Sequence, residues 1–428
     1  MLILIMVFIS GNYYDIMFFL GKVLSILVLA VILTDFYLLY LSGQRLALDR
    51  VLPEKLSNGD DNEILVIIKN DYYFNLKVRI IDEVPFQFQD RFFSIRVSIN
   101  AREEKKVRYY LKPFERGSYE FGRIHVYAVS PIGIIIRRFT GKHKSETIKV
   151  YPSFLRMHKY QLLAINDRLI EIGITRIRRR GQHSEFDQIR EYVPGDDRRT
   201  INWKAAARKN KLMVNQFQDE RSQQVYSVID MGRTMQMPFR HMSLLDYAIN
   251  ASLIISNTVI QKHDKAGILT YNTSVNAFLP AERKNNTILK ILEILYDQHT
   301  SFSESNPELV YIILKNKVRH RSLLIFYTNF ESLSGLNRQL EYLVKLSKLH
   351  LILIVVFENT EIMAMTEQFA TTMEDIYMNT IAEKFMFEKK IIIKELNAHG
   401  IHSILTKPED LTVNLINKYF ELKYRGLI

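Results

Sequence analysis

Residues that could do chemistry are concentrated between Gly181 and Glu220 of this 428-residue chain. The run holds the only tryptophan, Trp203, and comes directly before an apolar strand, Val225 to Ile229, that ends on Asp230. Because open α/β sheets hold their ligands at the carboxyl ends of strands, the arrangement indicates a functional site near Asp230. The candidate residues in the run are Glu185, Asp187, Arg190, Glu191, Tyr192, Gly195, Asp196, Asp197, Arg198, Trp203, Lys204 and Arg208.

Two interpretations of this run stay open from the residues alone. In the first, its opposite charges pair in an ion-pair lattice that locks the segment onto the following sheet, with Trp203 as a buried peg. In the second, the run is a surface that docks a partner, because Trp and Arg are the residue types that anchor protein interfaces.

An enzymatic alternative uses the same run. On a strand, His183, Glu185 and Asp187 would point to one face, and with Asp196 or Asp197 they could hold a metal for hydrolysis. One histidine among many arginines is weak support, because the arginines compete for the carboxylates. Ser184 lacks the G-x-S-x-G elbow of serine hydrolases, and the sequence has no phosphate-binding glycine loop with a lysine. The sequence favours a protein that is not an enzyme, with a metal-dependent hydrolase as the alternative.

A second candidate site lies at two strand ends, where Asp230-Met231-Gly232-Arg233-Thr234 and Thr328-Asn329 follow apolar strands. These positions resemble the metal-ion-dependent adhesion site of von Willebrand factor A domains, whose pattern is Asp-x-Ser-x-Ser with a later Thr-Asp. Gly232 replaces the first serine, Thr234 keeps the second hydroxyl, and Asn329 replaces the later aspartate. Mg²⁺ prefers oxygen ligands, so Asp230, Thr234 and Asn329 predict at most a weakened magnesium site. The other interpretation is a metal-free fold in which Asp230 only caps its loop.

From about residue 222 to the C-terminus the pattern alternates helices and strands. Continuous apolar strands such as LLIFY and LILIVVF are typical of a parallel sheet covered on both faces, which predicts a doubly wound α/β domain. The predicted strands are Val225 to Asp230, Lys265 to Tyr271, Ser322 to Tyr327, His350 to Phe357 and Ile401 to Leu405. The predicted helices are Ser243 to Gln261, Thr287 to Tyr296, Leu336 to Leu346, a long stretch through Ile381 to Ala398, and a last helix to Tyr424.

Residues 153–221 are predicted to form a linker helix and a small module. Ser153 to Ile170 reads as a helix. In the module, Pro194-Gly195 marks a turn, Asp196 or Asp197 is predicted to cap a short helix around Trp203, and Lys211 to Phe217 alternates like an edge strand.

Residues 51–152 read as a β-sandwich of immunoglobulin-like size, because short β-branched or aromatic segments alternate with turn residues. The predicted strands are Glu63 to Ile68, Leu76 to Ile81, Phe92 to Ile99, Lys106 to Leu111, Tyr119 to Tyr127, Ile132 to Phe139 and Thr147 to Tyr151.

Residues 1–45 predict a membrane anchor. Ile16 to Leu41 is apolar over more than the ~20 residues that a bilayer span needs, with Lys22 and Asp35 as its only charges. Met1 to Ile9 is apolar but too short to cross alone, so one span and a hairpin both stay open. Lys and Arg residues follow the span, so the positive-inside rule places the rest of the chain in the cytoplasm.

Composition limits the classes of partner. The chain has no cysteine, which excludes disulfides, thiolate metal sites and cysteine nucleophiles. Its net charge of +12 suits an anionic lipid surface or an acidic partner. Nucleic acid is not expected as a partner, because the positive residues are interspersed with acids outside one arginine cluster at residues 176–180.

The run resembles the signature of a bacterial domain family of unknown function that is encoded beside MoxR-type AAA+ ATPases. The resemblance extends to the Arg116-Gly117-x-Tyr119 and Pro131-x-Gly133 turns and the C-terminal Tyr419-Phe420-Glu421-x-Lys423. The motifs that carry it are Glu185-Phe186-Asp187, Arg190-Glu191-Tyr192, Pro194-Gly195-Asp196, Asn202-Trp203-Lys204, Ala207-Arg208 and Leu212-x-Val214.

This resemblance implies a von Willebrand factor A-like protein anchored in the bacterial inner membrane, with its soluble domains facing the cytoplasm. It would be a non-enzymatic scaffold or adaptor for the ATPase and for neighbouring von Willebrand A proteins, in chaperone-like complex assembly or envelope stress. No cofactor is expected, and Mg²⁺ is the one metal that the strand-end residues of this chain suggest.

Overall fold

The protein is described by a computed structural model over residues 15–43, 45–90, 93–141, 145–165, 185–194, 196, 198–218, 222–284, 286–360 and 372–428. The chain divides into two compact units, the second of which runs from Tyr151 to Ile428. The first is called the β unit and the second the α/β unit.

The first described element is an apolar helix. Helix α1 (Asp15–Phe36) is followed by a π-helical turn, Tyr37–Leu41. Phe18–Leu41 has a mean hydropathy of 2.3, and only 11% of its most apolar window is buried. The predicted apolar segment is therefore confirmed as one helix, whose length and composition suit a membrane anchor or a signal sequence. The apolar run Met1 to Ile9 lies outside the described residues.

The β unit contains ten strands in its described part. They pair in the orders β1-β3-β6, β2-β10-β7 and β5-β4-β8-β9, and side chains from all three sheets share one core. The strands are β1 (Leu46–Val51), β2 (Lys55–Ser57), β3 (Asn62–Asn70), β4 (Leu76–Asp82), β5 (Ile95–Ile99), β6 (Glu104–Leu111), β7 (Gly117–Phe121), β8 (Ile124–Val129), β9 (Ile136–Thr140) and β10 (Glu146–Tyr151).

Each of the seven strand segments predicted for this unit contains a strand. Tyr119 to Tyr127 was predicted as one strand but forms two, β7 and β8, because the chain turns at Gly122, whose N–H donates to the Glu83 carbonyl at 2.8 Å. β1 and β2 were not predicted. β1 carries Asp49 and Arg50 in its centre, and this interruption hides its alternating pattern.

A buried ion pair joins three strands of the β unit. Arg50 on β1 donates to Asp82 on β4 at 2.7 Å and to the Gly122 carbonyl at 3.0 Å. Tyr109 on β6 donates its hydroxyl to the second Asp82 oxygen. The two charged side chains are 2% and 0% exposed, so each depends on the other for compensation of its charge.

The α/β unit is built on a six-stranded sheet in the order β17-β16-β13-β18-β19-β20. All neighbouring pairs are parallel except β16 and β17. All five predicted strands are confirmed, whereas the edge strand β17 was not predicted, because its side chains are only partly buried and its pattern is not continuously apolar. The strands are β13 (Gln224–Asp230), β16 (Lys265–Tyr271), β17 (Val275–Glu282), β18 (Leu323–Tyr327), β19 (Leu351–Phe357) and β20 (His402–Thr406).

Two small two-stranded sheets complete the described strands of this unit. A two-residue pair, β14 (Pro238–Phe239) and β15 (Met242–Ser243), precedes the first long helix. Strands β11 (Glu185–Glu191) and β12 (Met213–Gln218) form a separate two-stranded sheet.

Helices cover both faces of the large sheet. Alternate residues of the central strands enter two different apolar cores, one with α4, α5 and α9 and the other with α6, α7 and α8. The mixed α/β class is therefore confirmed, and α6 is an addition that the sequence did not predict. The helices after α1 are α2 (Phe154–Ile165), α3 (Trp203–Lys209), α4 (Leu244–Gln261), α5 (Thr287–Tyr296), α6 (Pro307–Lys317), α7 (Leu333–Ser347), α8 (Met373–Ala398) and α9 (Leu411–Tyr424).

Removing one partner of the buried pair should destabilise the β unit. We expect Asp82→Ala to lower its free energy of unfolding by about 3–5 kcal/mol, because Arg50 is left buried and uncompensated. Glu63→Ala, which breaks the exposed pair with Arg108 at 3.2 Å, is the matched control and should cost at most about 1 kcal/mol. Hydrogen exchange of β-unit peptides during urea titration measures both, and equal losses would contradict the assignment.

Candidate functional site

The signature run forms a small module in its described part. β11 and β12 pair antiparallel, with Arg190 opposite Val214 and Glu191 opposite Met213. Helix α3 lies in the connection between the strands and contacts β12. The predicted order of strand, turn, short helix and edge strand is confirmed.

Asn202 caps helix α3. Its side-chain oxygen accepts from the Ala205 N–H at 3.0 Å, and its side-chain nitrogen donates to Asn215 on β12 at 2.8 Å. The prediction that Asp196 or Asp197 caps this helix is wrong for Asp196, which accepts from the Val193 N–H at 3.0 Å instead. A one-turn helix at Arg198–Thr200 separates Asp196 from the start of α3.

Trp203 is 70% exposed, so the prediction of a buried peg is wrong. The half-buried positions of α3 are Ala205 and Ala206, whereas Lys204 and Arg208 are exposed together with Trp203. Two alanines allow the short helix to lie close to β12, and the tryptophan at the first helical position is left on the outer side. One aromatic and two basic side chains are therefore exposed on this short helix, and the set (Trp203, Lys204 and Arg208) is here called the Trp203 ridge.

Two ion pairs lie within the described part of the module. Arg190 donates to Asp196 at 2.7 Å, and Lys211 contacts Glu191 at the same distance. The hydrogen bond from Arg190 lowers the pKa of Asp196 below its usual value. Both pairs are substantially exposed, and such pairs contribute little to stability. The first pair joins β11 to the turn that follows it, and the second joins the end of β11 to the residues just before β12.

Several candidate residues cannot be placed. Gly195, Asp197, His183, Ser184 and the arginine cluster at 176–180 lie outside the described residues. Glu185 and Asp187 belong to β11, but their side chains are outside the described part of the chain. Tyr192 is half-buried, and its N–H donates to the Leu212 carbonyl at 2.9 Å. Within the described ranges, no group of three or more His, Asp or Glu side chains is placed to hold a metal.

Asp230 ends the central strand β13 and is 2% exposed. One carboxylate oxygen accepts from the Gly232 N–H at 2.8 Å and from the Ser305 hydroxyl, and the other accepts from the Thr328 hydroxyl at 2.8 Å. Burial raises the pKa of Asp230, and these three donors oppose the rise. The carboxylate thereby connects its own loop with the loops before α6 and after β18.

Ser305 provides the hydroxyl that a serine at position 232 would provide in the adhesion-site pattern. A Cβ atom built on Gly232 would collide with the Ser305 hydroxyl, so the first serine of the adhesion-site pattern has no room here. The hydroxyl that Gly232 lacks is supplied by Ser305, which lies 75 residues after Asp230 in the chain. Local sequence contains no signal for this substitution.

Asn329 is held by a lysine. Lys389 on α8 donates to the Asn329 side-chain oxygen at 2.5 Å and to the Phe330 carbonyl at 2.6 Å. Burial lowers the pKa of Lys389 to about 8, so the amine is still mostly charged at neutral pH. The oxygen that a metal would need from Asn329 thus accepts from an ammonium group, and the amide nitrogen of Asn329 donates to the Thr234 carbonyl at 3.4 Å.

Asp230, Thr234 and Asn329 nevertheless line one cavity of 370 Å³ at the carboxyl edge of the sheet. Glu304 at its rim pairs with Arg233 and with Arg338, both at 3.2 Å. A second, more apolar cavity of 260 Å³ shares Asn329 and Glu331 with the first and is also lined by Lys389. Its remaining lining side chains include Met237, Phe239, Phe357, Phe385 and Met386. The two cavities place side chains of both charges, among them Glu331 and Lys389, beside apolar ones, and the donors do not form a set suited to Mg²⁺.

The exposure of Trp203 can be measured by tryptophan fluorescence, because the chain has a single tryptophan. We expect acrylamide to quench its fluorescence in the folded protein nearly as efficiently as in urea, because 70% of the side chain is exposed. Stern–Volmer constants measure this. A folded-state constant several-fold below the unfolded one would show that Trp203 is buried.

Divalent cations should not stabilise this protein. At Asn329 the positive charge of Lys389 takes the place of a metal ion. We therefore expect the same melting temperature in Mg²⁺ as in a chelator, because a ligand that does not bind the native state cannot stabilise it. Differential scanning calorimetry of the full chain measures it, with Asp230→Asn as the control. A Mg²⁺-dependent rise that disappears in Asp230→Asn would contradict the expectation.

Comparison with known proteins identifies one family. The family described as "Protein of unknown function DUF58" matches residues 188–364. The "Uncharacterized protein YeaD" of Bacillus subtilis (strain 168) is 25% identical over 172 residues, which are 40% of this chain and 40% of that protein. The chain therefore spans less than half the length of this curated relative.

Two solved structures are similar to a part of this chain. The CARDB domain of a Pyrococcus furiosus protein, solved in complex with di-metal ions, is 18% identical over 26% of this chain and 94% of that domain, with a TM-score of 0.18. A PapD-like domain of human CEP192 is 12% identical over 25% of this chain and 86% of that domain, with a TM-score of 0.19. From the comparisons, the predicted resemblance to a domain family of unknown function is confirmed over residues 188–364.

Proposed function

We propose that this protein is a non-enzymatic, membrane-anchored adaptor that presents the Trp203 ridge to a MoxR-type AAA+ ATPase. Its α/β unit would serve as a von Willebrand factor A-like platform for neighbouring von Willebrand A proteins, in chaperone-like complex assembly or envelope stress. The observation that carries the proposal is the 70% exposure of Trp203 on a short, capped helix.

An exposed tryptophan beside two basic side chains is suited to an interface. Trp and Arg are enriched among the residues that dominate binding energy, because they bury a large area and retain a polar group. Lys204 and Arg208 would complement an acidic partner surface. The Asn202 cap and its bond to Asn215 hold the ridge in place before any partner arrives, which lowers the entropy cost of binding.

The strand-end cavities support a second contact on the same unit. In a von Willebrand factor A domain, a metal at this edge binds a partner's acidic side chain. Here Lys389 supplies a positive charge next to Asn329, and an apolar cavity adjoins it. We therefore assign this edge to metal-independent docking of an acidic segment from a von Willebrand A protein.

The anchor gives the proposal its location. α1 is long enough to span a bilayer, and exposed Arg45 lies four residues after the π-helical turn that ends at Leu41. Basic residues flank membrane spans on their cytoplasmic side, so we place both units at the cytoplasmic face of a bacterial inner membrane. This is also the compartment in which an AAA+ ATPase has access to ATP.

Loss of the tryptophan should weaken ATPase capture. With the full chain in lipid nanodiscs, we expect Trp203→Ala to raise the dissociation constant for a MoxR-type AAA+ ATPase of the same organism by about tenfold or more, as for a central interface residue. Biolayer interferometry with the purified ATPase measures the constant. Phe86→Ala is the matched control, because Phe86 is 85% exposed and lies in the β unit.

Two results would count against the proposal in different ways. If Trp203→Ala binds as tightly as the unaltered chain while its circular dichroism is unchanged, the ridge is not the contact surface. If the unaltered chain does not bind the ATPase at all, the proposed partner is wrong.

A further inference from the structure

The end of the apolar helix is fixed to the β unit by the side chain of Asp35. The carboxylate is fully buried and accepts from the Ser130 hydroxyl and from the backbone N–H groups of Ile134 at 3.0 Å and Ile135 at 2.7 Å. An aspartate near the end of an apolar span would be costly without partners. Here its hydrogen bonds are provided by one loop, residues 130–136, called the isoleucine loop.

A second contact lies one turn further along the helix. The Leu39 carbonyl accepts from the Tyr72 hydroxyl at 2.8 Å and from the Arg137 guanidinium, and the Leu39 side chain is buried in the β-unit core. The π-helical turn at Tyr37–Leu41 alters the backbone ladder at this point. Arg137 also lies over the ring of Tyr40, 4.9 Å from its centroid. Two contacts on successive turns hold the helix end in one orientation on the β unit.

The position of Asp35 along the helix sets the depth of the loop. The apolar stretch begins at Phe18, and the helix from there to Asp35 is roughly 25 Å long at ~1.5 Å per residue, close to the ~30 Å thickness of a bilayer's hydrocarbon core. Asp35 therefore coincides with the membrane boundary if the helix spans a bilayer. The isoleucine loop, bonded to Asp35, must lie at the same level.

The isoleucine loop is apolar on its outer side. Ile132, Ile134 and Ile136 are 41%, 50% and 57% exposed, although the loop backbone is held by Asp35. Gly133 has a φ of +86°, a left-handed conformation that favours glycine and that turns the following N–H groups toward the carboxylate. The Pro131-x-Gly133 motif thus has a physical role, which is to hold three isoleucines at the surface beside the helix end.

We infer that the isoleucine loop contacts the lipid bilayer, with the side chains of Ile132, Ile134 and Ile136 at the boundary between headgroups and acyl chains. The inference rests on the proposed membrane anchoring and adds a second membrane contact to it. Lipid is the occupant because the loop is hydrogen-bonded to the end of α1, whose side chains are apolar and exposed. Tyr37 and Tyr40 at this helix end and Arg138 on β9 are also exposed, and they are residue types that favour the membrane interface.

Single-cysteine labelling can test the contact, because the chain has no cysteine of its own. Ile134→Cys, Ile26→Cys and Tyr110→Cys would each carry the fluorophore NBD in full-length protein reconstituted into phosphatidylcholine and phosphatidylglycerol vesicles. Ile26 marks the centre of the span. Tyr110 on β6 is 60% exposed and lies opposite Glu63 on the neighbouring strand β3, so it is the aqueous control.

We expect lipids with a doxyl group high in the acyl chain to quench NBD at position 134 at least twofold more than at position 110. Deep doxyl groups should quench position 26 most. Ile132→Cys provides a second site in the loop in case a label at 134 disturbs the bonds to Asp35.

Failure of this inference can be told apart from failure of the anchor. If position 26 is quenched while positions 132 and 134 behave like 110, the anchor spans the membrane and the lipid contact is wrong. If position 26 is not quenched, the anchoring proposal itself is wrong. If both loop positions are shielded from an aqueous quencher but not quenched by lipids, a protein covers the loop, and the inference is overturned.

Discussion

The central physical constraint on this molecule is that a buried carboxylate needs donors. Asp230 in the α/β unit and Asp35 in the β unit are both buried, and the donors described for each are hydroxyl and backbone N–H groups. Backbone N–H groups and the hydroxyls of short side chains have little freedom to move relative to the main chain. A carboxylate that accepts hydrogen bonds from them therefore holds the backbone around it in one arrangement. Asp230 orders the loops around the strand-end cavity, and Asp35 joins the apolar helix to the isoleucine loop.

Regular elements with one dominant pattern were predictable from the sequence. β18 and β19 are continuous apolar runs because both of their faces are covered by helices, and α1 is apolar over its whole length. Where the pattern was mixed, prediction failed. The edge strand β17 is half-covered, and helix α6 begins at Pro307 after a polar loop, so neither has a simple period.

The candidate site was less predictable than the fold because its partners are distant in sequence. Ser305 reaches Asp230 across 75 residues, and Lys389 reaches Asn329 across 60. No local motif encodes either contact, and each changes the expected chemistry: Ser305 replaces the serine absent at position 232, and Lys389 provides the positive charge. The sequence left Trp203 open between a buried peg and an exposed contact residue, and only the packing of α3 on β12 shows that it is exposed.

The exposure of Trp203 also bears on why helix α3 exists. A helix of seven residues is too short to be stable by propensity alone, and this one has no fully buried residue. Its stability must come from the Asn202 cap, the bond to Asn215, and the Asn202 N–H, which donates to the Met213 carbonyl at 2.8 Å. These contacts all lie at the first turn of the helix, where Trp203 and Lys204 stand. The module therefore orders the part of α3 that carries the tryptophan, which is what a preorganised docking surface requires.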